Sequence, residues 1–404
     1  MDMRKTKAEQ IVMASGITRT QRGWVVPSQS GNGSYLVERR GESFTCTCPD
    51  FQLRNQPCKH ALAIQITILK WFDSKGKKIL EVKRVSYSQN WAAYNTSQIN
   101  EKDLFMKLLS NLCKEIEEPL HRFGRPKLSL ADMVFNSALK VYTTFSLRRF
   151  MTDMRLALEK GYAVQGCSYS SVSNYMREEQ LTPLLQNLIT LSSLPLRSVE
   201  TRFAIDSTGF RTTKFNDYCK EKHKTKQQHQ WVKAHICTGV KTNIITSVEV
   251  LDGNSADSLQ FIPLAEKTHD NGFVIEEISA DKAYNSKDNY NAIRELGGTA
   301  YIPFKSNASP WGNSSSKGNR SKLWRRMLNY FVYSRDEFLQ HYHLRSNVES
   351  TNNMIKAKFT DLVRSKDKIA QVNEVLLKVL CHNICVLIQE MNELGIEPNF
   401  LEVV

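Results

Sequence analysis

Four residues near the C-terminus have types and spacing suited to chemistry: Tyr342, Arg345, Glu349 and Lys356, within HYHLRSNVESTNNMIK. On a helix turning about 100° per residue, Tyr342, Glu349 and Lys356 point roughly 60°, 40° and 20° away from Arg345. A packing face would be apolar; this one carries a phenol, a guanidinium, a carboxylate and an ammonium. A carboxylate flanked by cations and a hydroxyl suits a site that holds a metal ion and grips phosphate. The alternative is a solvated face with an Arg345–Glu349 ion pair at i,i+4. Two aspartates upstream shift the balance toward chemistry. Asp206 follows the apolar alternation of Phe203 and Ile205, and Asp281 ends a second strand-like segment, FVIEEISAD. Asp is disfavoured inside strands because its side chain competes for backbone hydrogen bonds. A strand bulge for Asp206 and a helix cap for Asp281 are the structural alternatives. Three converging carboxylates would repel one another unless cations neutralise them. Hard divalent ions with oxygen ligands do this, which points to Mg²⁺ or Mn²⁺ at Asp206, Asp281 and Glu349. Two such ions suit an in-line displacement at phosphorus.

The surrounding sequence must position these groups. RFAIDSTGF, WVKAHICTGV and NIITSVEVLDG read as three successive strands. A helix over SADSLQFIPLAEKTH follows, then FVIEEISAD as a fourth strand, a helix over SKDNYNAIRELGG, TAYIPF as a fifth strand, and closing helices. That order matches a ribonuclease-H-like α/β fold over residues 201–392. Residues 86–200 show apolar spacing near 3.6 and predict helices, with a break at FGRPKLS. Residues 1–85 predict a small module of β segments and a helix, and 393–404 a C-terminal tail. The chain is thus multidomain, α+β and α/β: a catalytic domain preceded by a helical region and a small metal-binding module.

Taken together, the motifs resemble the DDE transposases of prokaryotic insertion sequences, in the group with a Tyr–Arg–Glu–Lys signature. Tyr342, Arg345, Glu349 and Lys356 match every interval of that signature, IDSTGF resembles the first-aspartate strand, and SADKAYNS resembles the second-aspartate motif. LDGNSADSLQFIPL is similar to the segment joining them. The resemblance implies that Asp206, Asp281 and Glu349 bind catalytic metals and that Tyr342, Arg345 and Lys356 hold phosphates of the transposon end. Some members carry a long β-rich insertion between the second Asp and the Glu, whereas 67 residues separate them here. Trp311, in a Ser/Asn-rich loop, is placed either to stack on a base or to anchor that loop.

A second cluster sits near the N-terminus. Cys46, Cys48, Cys58 and His60 read Cys-x-Cys, nine residues, then Cys-x-His, a full tetrahedral set for structural Zn²⁺. CTCPDF and CKHALA resemble the hallmark of the SWIM zinc finger. In the middle region, YSSVSNYMREEQL is either the second helix of a helix-turn-helix, offering Ser170, Ser171, Ser173, Asn174 and Arg177 to DNA, or an ordinary bundle helix. The basic stretch at 220–230 is either a solvated hairpin loop or a phosphate contact, and His223 and His229 lack a ligand set beyond Cys219.

Composition agrees with a polyanionic partner. Lys and Arg number 55 against 41 acids, for a net charge of +14, which suits double-stranded DNA. The most apolar run, LLKVLCHNICVLI, is broken by Lys378, His382 and Asn383, so no membrane is expected, and scattered cysteines suit a reducing, cytoplasmic compartment. The expectation is a transposase that binds terminal inverted repeats and cuts and joins DNA ends as a homodimer or higher oligomer, associated with the nucleoid. A nuclease or resolvase of the same fold, or a domesticated non-catalytic DNA-binding protein, are the alternatives. All three acids are present, which disfavours the last.

Overall fold

The computed structural model describes residues 3–13, 17–20, 22–29, 33–40, 43–54, 56–64, 90–119, 123–124, 127–213, 231–253, 257–305, 308 and 322–400. The chain forms two compact units, Met1–Ser88 and Gln89–Val404. Trp311, the basic stretch at 220–230 and all residues after Ile64 in the first unit lie outside the described residues.

In the first unit, α1 (Met3–Met13) precedes an antiparallel meander of β1 (Thr18–Arg19), β2 (Trp24–Pro27), β3 (Ser34–Arg40) and β4 (Ser43–Cys46), followed by α2 (Pro49–Arg54). Gly23, at φ +155°, is needed where the chain enters β2, because a Cβ there would lie 2.2 Å from the Val37 carbonyl oxygen. The small core joins Ala8, Ile11, Val26 and Val37 to the three clustered cysteines. Among the described residues this core is small, and a metal-closed loop is an expected source of stability.

The second unit opens with α3 (Trp91–Cys113), α4 (Leu130–Thr143), α5 (Leu147–Glu159), α6 (Tyr169–Tyr175) and α7 (Leu181–Ser193). The sheet follows: β5 (Arg202–Arg211), β6 (Trp231–Gly239), β7 (Ile245–Asp252), β8 (Glu277–Ala280) and β9 (Thr299–Tyr301). Its order is β7-β6-β5-β8-β9, with the first three strands antiparallel and β8 and β9 parallel to β5. Helices α8 (Phe261–Asp270) and α9 (Lys287–Glu295) interleave with the strands. Then come α10 (Lys322–Tyr333), α11 (Arg335–Tyr342), α12 (Ser346–Phe359) and α13 (Lys368–Glu393). This is the ribonuclease-H-like arrangement expected. The fifth strand is shorter than TAYIPF suggests, because the Ile302 carbonyl accepts hydrogen bonds from Tyr290 and Asn285 side chains and Pro303 has no N–H to donate.

Alternation along β5 divides the interior. Phe203 and Ile205 face a core with Phe261, Leu264, Ile278 and Tyr290. Ala204 and Phe210 face a second core shared by helices α3 to α7, α12 and α13. This second core runs across the boundary drawn near residue 200, and Phe400 of the tail is buried in it.

Helix α13 is long and apolar enough to cross a membrane by length and composition, but most of it is buried inside the fold. The three polar residues that interrupt its apolar run are anchors. Lys378 Nζ donates to the carbonyls of Thr360 and Leu362, both at 2.8 Å. His382 Nε2 donates to the Asn243 carbonyl at 3.0 Å. Asn383 accepts from Ile245 N–H at 3.0 Å and donates to its carbonyl at 2.8 Å, pairing with the outer strand β7 as another strand would.

Two expected outcomes follow. Asn383→Leu strands a buried donor and acceptor on Ile245 and should lower stability by about 2–4 kcal/mol in urea unfolding. Burial pulls the His382 imidazole down to about 4. The unfolded chain therefore binds the extra proton first, and stability falls as pH drops from about 6.5 toward 4. His382→Gln, which keeps a donor but cannot titrate, should flatten that part of the stability–pH curve; an unchanged slope would exclude His382 as its source.

Candidate active site and metal centre

The acid site begins with strand register. In the parallel pair β5–β8, Ile205 lies opposite Ala280, so the next residues, Asp206 and Asp281, sit side by side at the end of that ladder. Beyond this point β5 leaves β8 and continues beside β6, Asp206 lying opposite Ile236. The chain after Ala280 turns away into a 3₁₀ turn over Lys282–Tyr284. Asp281 caps that turn, its carboxylate accepting from Lys282 N–H at 2.7 Å. The cap expected of Asp281 is therefore real, and it does not remove the residue from the site.

Helix α12 brings the third carboxylate. Val348, Ile355 and Phe359 are buried in the sheet-side core, and Thr351 hydrogen-bonds Asn243 at 3.1 Å. This fixes the helix rotation and leaves Glu349 beside β5. The four signature residues do not share one continuous α-helix. Tyr342 ends α11, His343–Arg345 is a 3₁₀ turn, and α12 starts at Ser346. The 3₁₀ turn eclipses residues three apart, which keeps Tyr342 against Arg345. His341 secures α11 from the other side, bonding Glu277 at 2.9 Å and stacking on Tyr301 at 4.4 Å.

Arg345 ties the parts together. Its Nη1 donates to Glu349 Oε1 at 2.7 Å and its Nη2 to Asp206 Oδ2 at 3.3 Å. Burial raises the Asp206 carboxyl above its ordinary range; Arg345 and the Ser207 N–H pull it down, while Glu349 and Asp281 push it further up. Burial opposes the Arg345 charge, yet Asp206, Tyr342, Glu349 and Asp281 together hold it above its ordinary value. Tyr342 is raised chiefly by burial, with Arg345 opposing and Asp281 and Glu349 adding to the shift. Five of the six sequence-derived residues thus feel one another electrostatically. The sixth, Lys356, lies farther along β5, its Nζ 5.7 Å from the centre of the Phe210 ring. Burial lowers Lys356, and Asp361 partly compensates.

Neighbours that the sequence did not single out complete the surroundings. Tyr284 is buried near Asp206 and Ser207, and its place in SADKAYNS was the available signal. Asp361 pairs with Arg211 at 2.7 Å, and backbone bonds between Arg211 and both Asp361 and Val363 hold the chain after α12 along the end of β5. In the helical region, Ser168 caps α6 by accepting from Ser171 N–H at 3.1 Å. Val172 and Met176 face the core, while Ser170, Asn174 and Arg177 are exposed and Ser171 and Ser173 half-buried.

The N-terminal unit holds the other cluster. One donor atom from each of Cys46, Cys48, Cys58 and His60 lies within 4.8 Å of all the others, and all four residues are buried. His60 Nδ1 is 3.9 Å from both the Cys46 and Cys58 sulfurs. Backbone N–H groups of Phe51 and Ala61 point at Cys48 and Cys58 Sγ at 3.4 Å, a pattern that favours thiolates. The Cys46 thiol donates toward Cys58, which is held down at about 3 while Cys46 is pushed up. Three sulfurs and one imidazole fit structural zinc.

Comparisons with known proteins agree with this geometry. A family described as "Transposase DDE domain" matches residues 197–384, and one described as "SWIM zinc finger" matches residues 37–67. The cryo-EM structure of a piggyBac transposase synaptic complex with hairpin DNA aligns over 77% of this chain and 79% of that one, at 10% identity and a TM-score of 0.36. A likeness that low carries no argument. The matched families span the acid site and the cysteine cluster respectively, so the chain carries a transposase DDE domain preceded in sequence by a SWIM zinc finger.

Proposed function

We propose that this protein is a DNA transposase that binds the terminal inverted repeats of an insertion sequence, pairs two ends within a dimer or higher oligomer, cuts at the ends and joins the 3′-hydroxyls to target DNA. The observation that carries this reading is the Arg345 fork between Asp206 and Glu349, beside Asp281. It is a concentration of like charge that makes sense where cations and phosphate meet.

In this reading Asp206, Asp281 and Glu349 hold Mg²⁺ or Mn²⁺, hard ions that suit an all-carboxylate set. Bound there, such ions polarise the attacked phosphate and stabilise the attacking and leaving oxygens. The protein's own groups do the rest. Arg345 offers a planar fork to phosphate oxygens, Tyr342 a single hydroxyl, and Lys356 a point charge farther along β5. That separation makes Lys356 a contact to a neighbouring phosphate rather than to the scissile one. Helix α6 offers Ser170, Asn174 and Arg177 as a surface for end recognition. The net charge of +14 supplies non-specific attraction to DNA that weakens as salt rises. Such a protein works wherever the element's DNA lies, here read as the prokaryotic cytoplasm.

Asp206→Asn or Glu349→Gln should abolish cleavage of an end-bearing duplex while leaving binding intact or slightly tighter, because each removes negative charge near DNA. Loss of binding together with cleavage would point to a folding role instead. For the finger, metal analysis of the purified protein should give one Zn²⁺, with X-ray absorption distances of about 2.3 Å to sulfur and about 2.0–2.1 Å to nitrogen. Cys58→Ser should make the N-terminal unit protease-sensitive and leave the transposase domain folded; a resistant N-terminal unit would contradict a structural zinc.

A further inference from the structure

The geometry points to Arg345 as an exchangeable counter-cation: its guanidinium and a divalent cation compete for the same oxygens of Asp206 and Glu349, and a DNA phosphate shifts the competition by offering the guanidinium another anion. This rests on the reading that these acids hold a metal.

An ordinary intrahelical pair would need only Glu349. Here Arg345 also reaches across to a strand 139 residues away in sequence. Its side chain is 19% exposed and that of Asp206 is 16% exposed, so the fork lies in the space between the acids rather than over them. The Glu349 side chain is 55% exposed, which leaves the guanidinium a route to solvent on that side. The pose is also incomplete. Arg345 Nε is buried and makes no hydrogen bond among the described residues, an unmet donor that disfavours a permanent lock. Tyr342, half-buried against the neighbouring core, adjoins Arg345.

Exclusion follows from charge and from lone pairs. Arginine stays protonated at any physiological pH, so it cannot make room by losing its proton. A divalent ion takes carboxylate oxygens at close range in a nearly fixed geometry. With the fork engaged, Asp206 Oδ2 and Glu349 Oε1 are aimed at N–H groups, and a like charge stands where the ion would approach. Metal binding must turn the guanidinium out. Outward is where the phosphate lies, so one side chain couples the two events. Linkage makes the coupling reciprocal: phosphate that captures Arg345 tightens metal by the factor with which metal tightens phosphate. The consequence is an acid site that stays neutralised away from DNA and loads metal on its substrate.

The test uses full-length, zinc-loaded protein and Mn²⁺ as the probe, with free Mn²⁺ read by electron paramagnetic resonance. Wild type, Arg345→Ala, Arg345→Lys and Asp206→Asn are titrated with and without a short DNA duplex. Arg345→Ala should bind Mn²⁺ about 10-fold tighter than wild type without DNA. Adding the duplex should tighten Mn²⁺ binding to wild type and leave Arg345→Ala unchanged. Arg345→Lys, which keeps the charge without the fork, should fall between. Thermal unfolding gives a readout independent of catalysis: Arg345→Ala should melt below wild type without Mn²⁺ and gain more from added Mn²⁺, since the ion replaces the missing cation. Equal or weaker Mn²⁺ binding by Arg345→Ala, with binding still abolished in Asp206→Asn, overturns the exchange and leaves the acid site standing. An Arg345→Ala protein that Mn²⁺ cannot stabilise marks the guanidinium as a fixed pin and likewise overturns it. If Asp206→Asn binds Mn²⁺ as wild type does, the acid-site reading fails and the exchange with it.

Discussion

Like charges crowded at one end of a sheet are the constraint on which this molecule is built. Parallel pairing of β5 with β8 sets Asp206 beside Asp281, and α12 adds Glu349 from above. Neighbouring strands are separated by only about 4.8 Å, so the first two carboxylates cannot avoid each other. Arg345 compensates by bridging two of the three. The arrangement holds only if α12 is pinned, and much of the second unit contributes to pinning it. Val348, Ile355 and Phe359 dock on the sheet, and Thr351 bonds the β6–β7 turn at Asn243. Lys358 pairs with the buried Glu101 of α3, which also accepts from Tyr142 of α4.

That last network ties the helical region to α12. The helices before residue 200 share a core with α12 and α13, and their one buried acid in this network, Glu101, meets α12 directly through Lys358. Helix α13 is the common support. Its apolar faces fill the core, and its polar interruptions hold the outer strand and the chain that leaves α12.

The cysteine cluster and the acid site differ in donor chemistry. The N-terminal set is soft, closed and buried, with thiolates stabilised by backbone N–H groups. The acid site is hard, open on the Glu349 side and already partnered by a cation. Thiolate and imidazole favour zinc, whereas carboxylates suit magnesium or manganese, so the two donor sets would select different ions.

The sequence by itself determined the identities. Interval-matched Tyr342, Arg345, Glu349 and Lys356, the aspartate in a strand and the aspartate at a strand end named the acid site. Cys-x-Cys and Cys-x-His named the finger. Strand order was legible because alternation and turn residues are local signals. Other features depend on distances between segments far apart in the chain, which no local pattern encodes. Only the tertiary structure decided that Arg345 spans to Asp206 as well as Glu349, and that Lys356 lies over Phe210 instead of beside the acids. The helix drawn through Tyr342 and Arg345 is a 3₁₀ turn, because hydrogen-bond spacing there answers to packing against β8 and β9. Lys378, His382 and Asn383 read as interruptions of an apolar run. They became anchors once the sheet supplied carbonyls and N–H groups for them, since a buried polar group is stable only where a partner from elsewhere meets it.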